Sequence, residues 1–213
     1  FALIFYLLAA AFTWRMFTAE HISWRDVILA GVFHLLTVLS HPEGAIHAAS
    51  LGIFLFAIRG RSKSGMSKAV LVGLVVLLGT TPWLDNVLTT HGFEPFSSVM
   101  GVRENPLIGL WYMLVPGIGG EQGISLFTVF AIFGAFILLW HKQPLILLWY
   151  FLPLLIDPRS ADGFSVIPLA MLAGVGLNEI LDHLFSSGAS SWISAIDQSR
   201  VLKAVLGYVL LLG

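Results

Sequence analysis

The chain has 213 residues, 57% hydrophobic and only 11% charged, with a formal net charge of -1 and a mean hydropathy of +0.90. Soluble domains carry roughly 25% charged residues, and a soluble fold of this length could not hide so much apolar surface, so the composition predicts an all-α, polytopic transmembrane helical bundle. The near-neutral charge excludes a nucleic-acid partner, which needs a concentrated basic face, and the absence of cysteine excludes disulfides, thiolate nucleophiles and cysteine-held metals.

A spanning helix needs about 20 mostly apolar residues, fewer where the ends are polar or the segment is kinked. Residues 1–14 are apolar from the first position, with no charged leader, and read as a cut-off span rather than a signal peptide. The stretch 24–58 drawn as one helix would be over about 50 Å long, far beyond a hydrocarbon core of about 30 Å. It therefore divides into spans 24–40 and 44–58, with His41-Pro42-Glu43-Gly44 as a tight turn: Pro42 removes a helix donor and Gly44 permits reversal. His34, mid-span, is expected to sit as a neutral imidazole bonded to a neighbouring helix.

The Gly- and Ser-containing stretch 59–68 reads as a flexible connector, and 69–84 as the next span, ending at Thr80-Thr81-Pro82-Trp83. The longest non-spanning region follows, up to Ile124. Its apolar run 107–115 is too short to cross alone and reads as an interfacial or re-entrant helix within a long outer loop, anchored by Trp111 and Tyr112. Segments 124–140, 144–156 and 164–181 are further spans. The small-residue stretch 186–191 is a loop, with Trp192 after it as an aromatic anchor, and 201–212 stops before it would span. Both ends thus read as cut, and 1–213 as one transmembrane domain from the interior of a longer protein. No internal repeat is visible, which disfavours an inverted-repeat transporter.

Cytoplasmic loops are rich in Lys and Arg. Arg15, Arg25, Arg59, Arg61, Lys63, Lys68, Lys142, Arg200 and Lys203 fall on alternate connectors, and only Arg103 and Arg159 fall on the others. This orients the chain as a multi-pass protein of a cell membrane, with the basic connectors inside beside anionic lipids. A crossing by 107–115 would reverse every later connector and break the pattern.

The outer connectors then hold Glu43, Asp85, Glu94, Glu104, Glu121, Asp157 and Asp162 with His41, His91, Arg103 and Arg159. Arg159, just outside the short span 144–156, presents a planar fork suited to phosphate oxygens; the alternative is a salt bridge to Asp157 or Asp162 that closes a loop. Arg103, beside Glu104, is either structural or a second phosphate contact. His41, Glu43 and His47 carry a weak metal pattern, with Glu43 and His47 on one helix face and His41 off it; the other reading is a turn stabilised by Glu43 at a helix N-terminus. Asp85, His91 and Glu94 are candidates for acid-base work or for binding sugar hydroxyls. A phosphate-binding P-loop, a His-Glu-x-x-His motif and a Gly-x-Ser-x-Gly elbow are all missing from the sequence.

Three segments together resemble the bacterial GT-C-type membrane glycosyltransferases, in the broad dolichyl-phosphate-mannose-transferase-like and lipid A aminoarabinose-transferase-like group. They are the small-residue helix running into Ser40-His41-Pro42-Glu43-Gly44; Thr81-Pro82-Trp83 followed by His91-Gly92 and Pro95-Phe96; and Pro158-Arg159 with Pro168-Leu169-Ala170-Met171-Leu172-Ala173-Gly174. The resemblance implies an enzyme that takes a sugar from a polyprenyl-phosphate carrier and transfers it on the outer face of the membrane. It implies a catalytic carboxylate in a first outer loop upstream of this chain, a donor-phosphate role for Arg159, and possible use of a divalent cation. Ser160 stands where that family often has an aromatic residue. The competing expectations are a transporter or flippase of envelope lipids, whose outer cavity would hold a head group without bond making, and a non-catalytic membrane scaffold.

Overall fold

The computed structural model describes residues 2–19, 23–94, 97, 105–115 and 125–186. Among them all regular secondary structure is α-helical. The helices are α1 (Ala2–Thr18), α2 (Trp24–Ser40), α3 (Pro42–Arg59), α4 (Lys63–His91), α5 (Pro106–Leu114), α6 (Leu126–Trp140), α7 (Leu145–Ile156) and α8 (Ala161–Ser186). Arg103, Glu104, Glu121 and everything from position 187 onward lie outside the described residues.

Local chemistry sets most of the boundaries. The Ser23, Ser62, Asn105 and Ser125 side chains accept from backbone N–H groups of the first turns of α2, α4, α5 and α6, satisfying donors that a helix start leaves unpaired. His41 alone separates α2 from α3: its backbone is extended, and Pro42 takes the first helical position, where a missing N–H costs nothing. The expected turn is thus present, but shorter than four residues.

Two expected boundaries are corrected. Only 60–62 lie between α3 and α4, so Lys63 and Lys68 are helical rather than part of a flexible connector. Lys68 is buried, and its Nζ donates to the Met16 carbonyl at 2.7 Å, a cation placed on the C-terminal end of α1. The second correction is Pro82, which does not end its helix. Its missing N–H costs the helix one bond, that to the Leu78 carbonyl, while the neighbouring Thr80 and Thr81 hydroxyls add bonds to the carbonyls of Val76 and Leu77 at 2.8 and 2.7 Å. α4 runs on to His91 and stops at Gly92, whose φ of 65° suits a glycine C-cap.

Packing divides the helices into two groups. In the first, α2 lies against α1, α3 and α4; in the second, α8 lies against α5, α6 and α7. α6 and α8 approach so closely that a Cβ built on Gly134 would fall on the Leu172 carbonyl, and one on Gly176 on that of Phe130. Small residues that admit such contact are the usual basis of helix association where solvent is as apolar as the side chains. The seam between the groups is a cluster of Tyr6, Ala10, Ala48, Leu51, Leu55 and Phe164. Trp149 Nε1 donates to Tyr6 Oη across it at 3.0 Å. His34 meets the expectation for a mid-helix histidine, with Nε2 3.0 Å from Thr13 Oγ1 on α1.

Two helical stretches, Lys63–His91 and Ala161–His183, are long and apolar enough to cross a membrane; Ala2–Thr18, Leu126–Trp140 and Leu145–Ile156 are apolar but shorter. The most apolar window of α4 is only 6% buried. A soluble protein covers such a helix, whereas here Val70, Leu74, Leu77 and Leu78 face outward together with Ile53, Phe136 and Leu155.

Candidate functional site

The one-residue break at His41 and the four-residue turn 157–160 meet at one end of the assembly. Glu43, in the first turn of α3, receives the Arg159 guanidinium: Nη2 lies 2.5 Å from Oε1. Asp157 Oδ2 is 3.6 Å from the same nitrogen, and His41 Nδ1 is 3.9 Å from Glu43 Oε2. Both sides of the central pair are about three-quarters covered, at 25% exposure for Arg159 and 24% for Glu43. The turn itself is held by Asp157, whose Oδ1 accepts from the Arg159 backbone N–H at 3.2 Å.

A second layer lies beneath the ion pairs. Ser160 Oγ donates to Asp157 Oδ2 at 3.0 Å, and His47 Nε2 is 2.8 Å from the same hydroxyl. Since the hydroxyl's one proton goes to the carboxylate, His47 Nε2 must carry the hydrogen in this pair. His47 is 1% exposed, its ring stacks on Phe164 at 4.1 Å, and its Nδ1 is buried without a hydrogen-bond partner. α5 closes the flank: Gly109 sits where a Cβ would strike the Pro158 carbonyl, and Tyr150 Oη donates to the Met113 carbonyl at 3.0 Å. α5 therefore runs antiparallel to α7, from the site toward the middle of the assembly.

Of the sequence-predicted residues, His41, Glu43 and Arg159 come together. Arg159 does form an ion pair, but its main partner is Glu43, 116 positions away, with Asp157 second. Asp162 is exposed and accepts from the Gly163 N–H instead. Asp85, His91 and Glu94 do not join the cluster. Because α4 continues through Pro82, Asp85 and His91 ride on its last two turns, exposed, and Glu94 lies just beyond, also exposed. None of the three makes an ion pair or hydrogen bond to the His41–Arg159 group. Arg103 falls outside the described residues. Glu43 and His47 do share a face of α3, both reaching the 157–160 turn, one through Arg159 and the other through Ser160, while His41 approaches Glu43 from its cap position.

Ser160 and His47 are the members that sequence reasoning missed as a pair. The only local sign was an Asp-x-x-Ser spacing at the turn, and His47 lies 113 positions from its partner. Among the described residues no group of three or more His, Asp and Glu side chains is arranged to hold a metal ion.

Chemically, the site offers an anchored cation with capacity to spare. Only Nη2 of Arg159 donates a side-chain hydrogen bond among the described residues, which leaves Nη1 and Nε free for a further acceptor. With Glu43 and Asp157 ionised, the three charges sum to minus one. An anionic ligand therefore needs an added positive charge, which a protonated His41 would supply. Comparison with known protein families, with curated proteins and with solved structures finds no match for this chain.

Proposed function

We propose that this chain is the membrane-embedded part of a multi-pass bacterial glycosyltransferase of the GT-C type, which moves a sugar from a polyprenyl-phosphate carrier to an acceptor at the outer membrane face. The single observation that carries this reading is Arg159: a guanidinium fixed through one nitrogen by Glu43, with its remaining N–H groups unspent, on a turn at the end opposite the basic residues. Arg15, Arg25, Arg59, Arg61 and Lys63 belong to that opposite end, so the polarity expected of a cytoplasmic face and the candidate phosphate contact are on different sides. The outward-facing apolar side chains of α4 support a lipid surround for the helices.

In this reading Arg159 stabilises the phosphate as charge develops on the leaving group, the role of a preorganised donor in a poorly solvated site. Asp157, Ser160 and His47 keep the turn that carries it in one geometry. The carboxylate that would deprotonate the acceptor hydroxyl belongs, by the resemblance, to a first outer loop, and none of the residues of this cluster is assigned that role.

The test is sugar transfer from a polyprenyl-phosphate donor by the full-length protein in proteoliposomes. Arg159→Ala is expected to abolish turnover while leaving the amount of folded protein unchanged, and wild-type turnover in that variant would remove Arg159 from the site. A full-length protein that binds the lipid phosphate yet never transfers the sugar would shift the reading to head-group transport.

A further inference from the structure

A groove of about 590 Å³ lies between α1, α2, α3 and α4, away from the cluster around Arg159. Phe17, Phe56 and Met66 line one end of it, and Thr80, Val38 and Ala45 the other. Its walls include Ile53, Met66, Val70 and Leu77, all exposed, so the groove opens sideways to whatever surrounds the helices. The polar groups within it are already committed: Thr13 and His34 bond each other, and Thr80 bonds the Val76 carbonyl. A ligand gains nothing there from donors or acceptors, which favours a hydrocarbon chain. From Met66 to Thr80 the groove follows α4 for about 21 Å, enough for the roughly 15 Å of one leaflet of a bilayer core.

What lies at the Phe17–Phe56 end decides which lipid. Both rings sit against Gly60, where a Cβ would strike them, and Gly60 is flanked by Arg59 and Arg61, with Lys63 opening α4. All three basic side chains are exposed, and among the described residues none has a carboxylate within ion-pair distance. Arg59 is steadied instead over the Trp14 ring, 5.5 Å from its centroid. Three cations with no carboxylate partner among the described residues therefore stand, in sequence, beside the Phe17, Phe56 and Met66 end of an apolar, chain-length groove.

We infer that this groove and its basic mouth form a binding site for one anionic phospholipid of the inner leaflet, with the phosphate head group on Arg59, Arg61 and Lys63 and an acyl chain along α4. The site is separate from the candidate transfer site and does not depend on that assignment. Basic residues beside a membrane attract anionic head groups in general; the groove adds a seat that a diffuse attraction lacks.

Native mass spectrometry of the full-length protein in detergent, with added dioleoyl phosphatidylglycerol or dioleoyl phosphatidylcholine, tests both halves. The wild type is expected to retain one phosphatidylglycerol with at least tenfold preference over phosphatidylcholine. Replacing Arg59, Arg61 and Lys63 together by glutamine should abolish the preference. Gly73 lines the groove and a Cβ built on it has nothing within 4 Å, so Gly73→Phe has room to start a side chain there and should weaken phosphatidylglycerol binding at least tenfold. Equal retention of the two lipids by the wild type would overturn the head-group assignment. Unchanged binding in Gly73→Phe would overturn the groove, and so would dihexanoyl phosphatidylglycerol binding as tightly as the dioleoyl form, a comparison that needs no variant.

Discussion

Removing the Glu43 charge while keeping its shape, as Glu43→Gln, leaves Arg159 at most a neutral amide oxygen in place of its 2.5 Å carboxylate partner, with Asp157 at 3.6 Å. An exposed ion pair contributes about 0–1 kcal/mol, whereas taking one partner from a buried pair costs about 3–5 kcal/mol. Glu43 and Arg159 retain only about a quarter of their side-chain exposure, and Asp157 remains to share the orphaned charge, so a loss of about 2 kcal/mol is expected. The pairwise part is isolated by a cycle of Glu43→Gln, Arg159→Gln and the double variant, read by unfolding in mixed micelles of dodecyl maltoside with rising dodecyl sulfate. A coupling of about 1–2 kcal/mol should emerge, against roughly 0.3–0.5 kcal/mol of scatter for independent sites. Additivity within that scatter would mean that the two side chains do not form the tie described, and the account of how Arg159 is held would fail with it.

Three further outcomes follow from the packing. Gly134→Leu puts a branched side chain where the Leu172 carbonyl stands, and forcing α6 from α8 should cost upwards of about 1–3 kcal/mol, the usual range for overpacking; a wild-type unfolding midpoint would contradict the close approach. Thr13→Val removes the partner of His34 Nε2 and should destabilise by about 1–3 kcal/mol, while a double variant with His34→Leu should recover much of that loss; no recovery would refute the pairing. With no native cysteine to confuse the result, single cysteines introduced at the exposed positions 162 and 63 should label from outside and inside the cell respectively, and equal labelling by an impermeant maleimide would break the sidedness.

The sequence exposed what is local and concealed what is tertiary. The end of α2 at Ser40 and the break at His41 were legible because Pro42 acts on the residues directly beside it. Pro82 misled, since one lost backbone bond ends a helix only where the rest of the segment does not hold it together, and here α4 continues on both sides of it. That one difference carried Asp85 and His91 out of a supposed loop and onto an exposed helix. Arg159 and Glu43 could each be singled out by charge beside apolar spans, but nothing in a linear pattern announces a contact across 116 positions. Ser160 illustrates the opposite hazard: read only as a departure from a resembling family, it proved to be the hydroxyl linking His47 to Asp157.

The one-residue break at His41 has a mechanical corollary. With no slack between α2 and α3, and only a four-residue corner between α7 and α8, the Glu43–Arg159 tie works as a latch between two stiff hairpins. Tilting either hairpin would drag a carboxylate and a guanidinium apart where little water can replace them. Any opening of the protein that separates these hairpins must therefore be driven by something that takes over one of the two charges, and an arriving phosphate is able to do so.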